Sequence, residues 1–370
     1  MREGPTGGGG RRGRTRFVLG GVVGCLLLLG GVLYATGTIQ TWREHRQLDR
    51  ACGGNLAPSR IRTALGSERV GASDTKEDGA LASCEATTRN GGKTLTFRLR
   101  WGPGDERTMK FLGRTHPSGY NSPLSPLGSW PGVLREEAGA TSASLWLRCD
   151  RKGHRSLIVE TRIEGGPGAV TAPAPAQREK FAAVAVATAE KAAGSFGCDQ
   201  VRGGSFAGLG GSPRKKPVTL AEARGTCAAL RPTESSARRL GLGHVWEARA
   251  SGTAPVEDCV LTTEADPQLP AFSLSAYYGP FAEGYSEQVT PRVAGKQGVQ
   301  KDGWRVWATA KCPGTETRAL YVLSGVVGSD AEGTSGVPVK KDDPGFRTEA
   351  LTAFARQSAE RHHCAELALP

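Results

Sequence analysis

Eight of the nine cysteines fall into two ordered sets, Cys52, Cys84, Cys149, Cys198 and then Cys227, Cys259, Cys312, Cys364, and the first interval is 32 residues in both. Few sequence features restrict a fold as strongly, because a cross-link requires its two Cα atoms to lie within about 7 Å. Other marks repeat in the same frame. Leu56-x-Pro58 and then Leu65-Gly66 follow the first cysteine of one copy, and Leu230-x-Pro232 and then Leu240-Gly241 follow that of the other. Proline suits the first turn of a helix, where its missing N–H has no partner to lose, and glycine takes the left-handed cap that ends one. Each copy is therefore expected to open with a short helix, over 58–65 and 232–240.

After the second cysteine both copies alternate apolar and polar residues as half-buried strands do, over 95–101 and 272–278. A tryptophan precedes the third cysteine in each, Trp146 and Trp307, and another strand follows, over 157–162 and 319–324. A Gly/Pro/Ala-rich connection leads to a closing helix near the fourth cysteine, 178–193 in one copy and 347–363 in the other. Two matched series of this length point to an internal duplication. The predicted fold class is α+β: an N-terminal transmembrane helix followed by two similar domains, each an antiparallel sheet with flanking helices and two disulfides. The expected divisions are a basic tail (1–16), the membrane helix (17–39), domain 1 (45–200), a linker (201–218) and domain 2 (219–370).

The membrane expectation rests on residues 17–39, an uncharged run that spans roughly 35 Å as a helix. Arg11, Arg12, Arg14 and Arg16 precede it and Trp42 follows, so positive charge sits on the N-terminal side and an interfacial aromatic on the other. That arrangement places the N-terminus in the cytoplasm and the domains outside it. A cleaved signal peptide would need a shorter apolar core and a better small-x-small site than Tyr34-Ala35-Thr36-Gly37. The tetrad ending at Cys25 fits a lipobox, but the residues after it are apolar, unlike a lipoprotein's polar continuation. The expected location is therefore the cell membrane, as a single-pass signal-anchor protein.

An oxidising compartment and an even number of cysteines favour disulfides over metal, and no pair has the C-x-x-C spacing of a zinc ribbon. Four cysteines per domain allow three connectivities. The favoured one joins first with fourth and second with third: Cys52 with Cys198, Cys84 with Cys149, Cys227 with Cys364, Cys259 with Cys312. The long loop closed by a Cys52–Cys198 bridge would contribute about 4–5 kcal/mol in the chain-entropy model.

A formal net charge of +12 suggests nucleic acid until it is divided. Residues 1–44 carry +4 beside anionic lipid, 45–200 carry +6 and 201–370 carry +2, a mildly basic body. The triplet Arg214, Lys215, Lys216 reads as solvated linker. No nucleic-acid partner and no cofactor are expected.

Catalytic motifs are weak. G-x-S-x-G is absent, and Ser73-Asp74-Thr75-Lys76 matches S-x-x-K in a polar loop, where that pair needs a helix start. His362 and His363 precede Cys364, but adjacent helical residues diverge by about 100° and do not chelate one ion from a single face. Tyr278, Phe281 and Tyr285 cluster after a strand and are the candidate exposed, ligand-facing patch.

The anchor, the C-x(2,3)-L-x-P-x(6,7)-L-G opening and the paired cysteines resemble actinobacterial-type membrane-anchored secreted proteins with tandem four-cysteine extracytoplasmic domains. Each unit is more loosely similar to the two-disulfide domains of actinobacterial lipoproteins and to the sensor portion of some mycobacterial receptor kinases. The resemblance implies an α+β fold and ligand or partner binding without chemistry. The resulting expectation is a membrane-anchored binding or interaction protein of the cell envelope, its partners the membrane and a cell-wall polymer or another envelope protein. An envelope enzyme with a site assembled from distant residues, and an accessory subunit of a membrane complex, are the alternatives.

Overall fold

A computed structural model describes residues 38–103, 106–114, 123–149, 155–165, 174–199, 204, 206, 209–213, 216–289, 295–300, 305–326, 328–329, 335–336 and 344–370. Nearly all of the apolar stretch, its flanking arginines and Cys25 lie outside these residues, as do Arg214 and Lys215. Among the described residues no helix is long and apolar enough to cross a membrane.

The first unit opens with α1 (Thr38–Arg50), a 3-10 turn (Ala51–Gly54) and α2 (Pro58–Leu65). The last of these has proline in its first turn and Gly66 at φ +67°, as its sequence dictates. Strands β1 (Val70–Asp74), β2 (Ala82–Thr88) and β3 (Lys93–Trp101) form a meander. Helix α3 (Glu106–Phe111) then leads to β4 (Ser125–Pro126), β5 (Gly132–Glu137), β6 (Ala140–Cys149) and β7 (Arg155–Gly165), and α4 (Pro175–Phe196) closes the unit. The second unit runs β8 (Val218–Thr219), a 3-10 segment (Ala228–Thr233), α5 (Glu234–Arg239), β9 (Leu242–Glu247), β10 (Val256–Thr263), β11 (Pro270–Tyr277), α6 (Pro280–Val289), β12 (Gly298–Val299), β13 (Arg305–Lys311) and β14 (Ala319–Gly325). A two-residue ladder, β15 (Gly328–Ser329) with β16 (Ser335–Gly336), precedes α7 (Pro344–Arg361) and β17 (Ala365–Ala368), which pairs with β13. Pro232 falls inside the 3-10 segment, so the opening helix of this unit is split where one helix was expected over 232–240.

Among the described residues every strand pairing is antiparallel. The first sheet is ordered β1-β2-β3-β7-β6-β5-β4 and the second, read in matching direction, β8-β9-β10-β11-β14-β13-β12. Apart from the edge strands β4 and β8 and the short β17, each position in one sheet has its counterpart in the other. The repeat seen in the cysteine frame thus recurs as topology.

All eight cysteines are bridged, but in a different pattern from the favoured one. The bonds are Cys52–Cys84, Cys149–Cys198, Cys227–Cys259 and Cys312–Cys364, first with second and third with fourth in each unit, and none joins the units. Strand order explains the correction. Cys84 on β2 and Cys149 at the end of β6 are separated by β3 and β7, about 14 Å at three inter-strand spacings, beyond the reach of a disulfide. The opening turn instead folds onto β1, where the Cys52 N–H donates to Asp74 Oδ1 at 2.7 Å, and Asp74 is paired with Cys84. At the other end, α4 returns to the tip of β6, where Asp199 N–H donates to the Arg148 carbonyl at 2.8 Å and sets Cys198 against Cys149.

Alternation along the strands divides the interior into three cores. Leu157 and Val159 join Phe97, Leu145 and Leu147 against Phe181, Val184 and Ala185 of α4. Tyr321 and Leu323 join Leu274 and Leu261 against Phe346, Leu351 and Phe354 of α7. Ile158, Leu320 and Val322 point the other way, into a third core between the units with Val133, Val256, Tyr277 and Trp307. Helices α3 and α6 add Met109, Phe281 and Tyr285 to it. The order is helix, sheet, sheet, helix, with each sheet covered on both faces around the seam.

Candidate functional site: a groove along the seam between the repeats

The seam is joined by polar as well as apolar contacts. Arg114, just beyond α3, and Asp258 of β10 are both fully buried, and Arg114 Nη2 donates to Asp258 Oδ2 at 2.5 Å. The same carboxylate accepts the Leu124 N–H at 2.9 Å and the Ser275 hydroxyl at 2.7 Å. Burial opposes the charge on Arg114, but Asp258 more than offsets it, and the guanidinium pKa is raised. Tyr277 stacks on Tyr285 with centroids 4.2 Å apart, and burial pushes its hydroxyl pKa well up.

Two Gly-Pro turns in equivalent places, Gly102-Pro103 after β3 and Gly279-Pro280 after β11, meet across the seam. A Cβ on Gly102 would stand 3.0 Å from Pro280 Cβ, and one on Gly279, where φ is +54°, would stand 2.5 Å from the Trp146 indole. Glycine is required at Gly279, where the opposite unit occupies the space of a side chain, while a Cβ at Gly102 would be a tight fit between Pro280 and Ser156.

Along the outer edge of this seam three cavities adjoin. One of about 610 Å³ is lined by Gly102, Trp146, Arg148, Arg155, Glu283 and Glu316. The next, about 470 Å³, shares Trp146, Arg148 and Thr315 with it and adds Asp199, Tyr278, His362 and His363. The third, about 410 Å³, shares Ser129 and Thr253 with the second and is lined further by Gly210, Glu247 and Arg249. Together they form one open trough whose walls come from both repeats. Trp146 stands where the first two cavities meet, half-buried, with its indole N–H donating to Ser156 Oγ at 2.9 Å. Arg148 and Asp199 flank Cys149–Cys198, while Pro313 and His363 flank Cys312–Cys364, so the equivalent late disulfides frame the middle of the trough.

Behind the middle wall lies a buried polar network. Glu257 accepts two hydrogen bonds from Arg361, both 3.0 Å, and one from the Ser358 hydroxyl at 2.6 Å, with His362 Nε2 at 3.4 Å. Tyr278 shares a 2.6 Å hydrogen bond with Ser358, and its ring stacks on His362 at 3.7 Å. Burial favours the neutral acid at Glu257, yet the hydrogen bonds from His362 and Arg361 hold its carboxyl below the usual range. Burial also pushes the Tyr278 hydroxyl well up and that of Tyr321 to about 12. These groups are tied to one another: Ser358 is fully buried and Glu257 is held as an anion by its partners, so the network orients the wall of the trough.

The expected exposed patch is corrected by the seam. Tyr278, Phe281 and Tyr285 are 4%, 0% and 5% exposed, since the second unit turns that face onto the first. Phe281 and Tyr285 are interior, and Tyr278 meets the trough only along its edge. His362, just past the end of α7, is 9% exposed at its side chain, whereas His363 faces solvent with φ +54°. Ser73 and Asp74 end a strand, which removes the S-x-x-K reading. Among the described residues no group of His, Cys, Asp and Glu could hold a metal. Arg148, Arg155, Asp199, Glu283 and Glu316 gave no motif. A sequence signal for the seam itself did exist: Leu157-Ile158-Val159 and 319–323 are continuous apolar runs, the mark of strands buried on both faces.

No protein-family model, curated protein or solved structure matches this chain.

Proposed function

We propose that this chain is a membrane-anchored, extracytoplasmic binding protein of the cell envelope that takes an extended, largely uncharged polymer of glycan type along the seam trough. The observation that carries the reading is the continuity of the trough, three adjoining cavities with shared walls built by both repeats. A compact metabolite would be served by one enclosed pocket; an open channel of this length suits a chain-like ligand. Its charges alternate in sign, with Arg148, Arg155 and Arg249 set among Asp199, Glu247, Glu283 and Glu316, which favours neither a polyanion nor a polycation. Trp146, where the first two cavities meet, offers an apolar surface between hydrogen-bonding groups. Glu257 and Tyr278, the groups with shifted pKa nearest the trough, are tied into hydrogen bonds with Ser358 and Arg361, an arrangement that supports binding over acid–base chemistry.

The test is a fluorescence titration of the purified chain with neutral oligosaccharides of increasing length. Affinity is expected to rise with length until the trough is filled, and Trp146→Ala is expected to weaken binding of the longest oligomer by at least about tenfold, as an aromatic platform worth ~1.4 kcal/mol would. Length-independent affinity, or binding that Trp146→Ala leaves unchanged, refutes the assignment.

A further inference from the structure

Helix α1 sets the posture of the whole body. Residue 39 ends the apolar run, and Gln40, the next residue, already accepts a hydrogen bond from Arg69 Nη2 at 3.3 Å. One turn further on, Glu44 takes Arg69 at 3.1 Å, and Leu48 is fully buried against the first core. The helix runs alongside β1, from Arg69 at one end to the Cys52–Asp74 hydrogen bond at the other. No tether separates the apolar run from the folded unit.

The end of unit 1 from which α1 emerges is defined by strand register. Val70 pairs with Thr88, Lys93 with Gly165, and Ala140 with Glu164, so the β2–β3 turn, the β5–β6 turn and the end of β7 lie together. One cavity at this end joins Leu65–Ser67 to Thr88–Asn90 and Lys93, and another joins Lys93 to Gly139, Gly165 and Gln177 near the start of α4. The residues of the first two cavities of the trough sit at the opposite end of the same strands. Trp101 pairs with Leu157, Cys149 pairs with Arg155, and Trp101 packs edge-on against Phe196 in the last turn of α4 at 5.8 Å. From Lys93 to Trp101 the strand rises about 26 Å at roughly 3.3 Å per residue. The 22 residues of α4 rise roughly 33 Å over the same course.

We propose that the α1 end of unit 1, with the exposed Arg89 and Asn90 at the tip of the β2–β3 turn, rests on the bilayer surface, and that the trough opens on the far side, about 30 Å above it. The inference rests on the membrane anchor, and it makes the orientation rigid where a flexible linker would leave it free. The exposed Arg43 and Arg89 suit an anionic headgroup layer.

The experiment uses the full chain with Cys25→Ser, reconstituted in phosphatidylcholine–phosphatidylglycerol vesicles that carry a headgroup-attached quencher. A dye is placed at Asn90→Cys or at Glu316→Cys. Quenching at position 90 is expected to exceed that at 316 several-fold. Inserting a flexible glycine-serine segment after residue 39, or freeing the helix with Arg69→Ala, is expected to reduce the difference. Equal quenching at both positions, or stronger quenching at 316, overturns the orientation while leaving the anchor standing. A chain that fails to float with the vesicles overturns the anchor and the orientation with it.

Discussion

Substituting Asp258→Asn tests whether the two repeats form one cooperative body. The change keeps an oxygen acceptor for the Leu124 N–H, at 2.9 Å, removes the charge opposite Arg114, 2.5 Å away, and puts an amide NH2 where Oδ1 accepts the Ser275 hydroxyl. Both side chains are fully buried, so Arg114 is left as an uncompensated interior cation. Breaking a buried pair from one side costs about 3–5 kcal/mol, because the remaining charge keeps its desolvation penalty and loses its partner. With urea dependences of about 1–3 kcal/mol/M, the midpoint falls by on the order of 1 M or more. Arg114→Met combined with Asp258→Asn removes both charges, and the pair is expected to be far less destabilised than the sum of the single changes, with a coupling of about 2 kcal/mol or more. The assay is urea unfolding of the disulfide-intact protein followed by tryptophan fluorescence. Additive single changes, or a loss below about 1 kcal/mol for Asp258→Asn, would show that the pair does not hold the seam.

A non-reduced peptide map should recover Cys52–Cys84, Cys149–Cys198, Cys227–Cys259 and Cys312–Cys364, and a Cys52–Cys198 peptide would contradict the strand order on which the correction rests. Gly279→Ala places a Cβ 2.5 Å from the Trp146 indole at positive φ, so a loss of about 1–3 kcal/mol with an altered Trp146 emission is expected; unchanged stability and emission refute the contact. Glu257 has a folded pKa below its ordinary 4.5, so its stabilisation is present above that value and is lost as pH falls through the folded pKa; Glu257→Gln should flatten this acid limb, and an unaltered acid titration would argue against the network. Tyr321, pushed up to about 12, is neutral in the fold while the unfolded chain ionises from its ordinary 10.0, so stability should decline between these values and Tyr321→Phe should lessen the decline; an alkaline profile identical in the variant counts against it.

Local features were legible without the fold because they depend on neighbours in sequence. Pro58 and Gly66 mark α2 because one lacks an N–H and the other tolerates φ +67°, properties that need no tertiary partner. The alternation of Leu95, Phe97 and Leu99 marks β3 through the two-residue period of a strand. The repeat, the α+β class and the use of all eight described cysteines in disulfides followed from the same local marks and from equal spacing. The failure at Pro232 is instructive: its turn tightened into a 3-10 segment, and the α-helix began only at Glu234.

What the amino-acid order alone determined is therefore the parts: two units of strands and helices with their cysteines at fixed places, and an apolar run ahead of them. The pairing of those cysteines was decided by strand order, since β3 and β7 intervene between Cys84 and Cys149 and no interval along the chain records that separation. Only the tertiary structure turned Phe281 and Tyr285 inward, because a face that one unit alone would expose is covered by its repeat. The trough has the same origin: Trp146, Arg148 and Asp199 stand opposite Tyr278, Glu316 and His362 once two sheets pack face to face, and contacts between residues more than a hundred positions apart leave no periodicity to read.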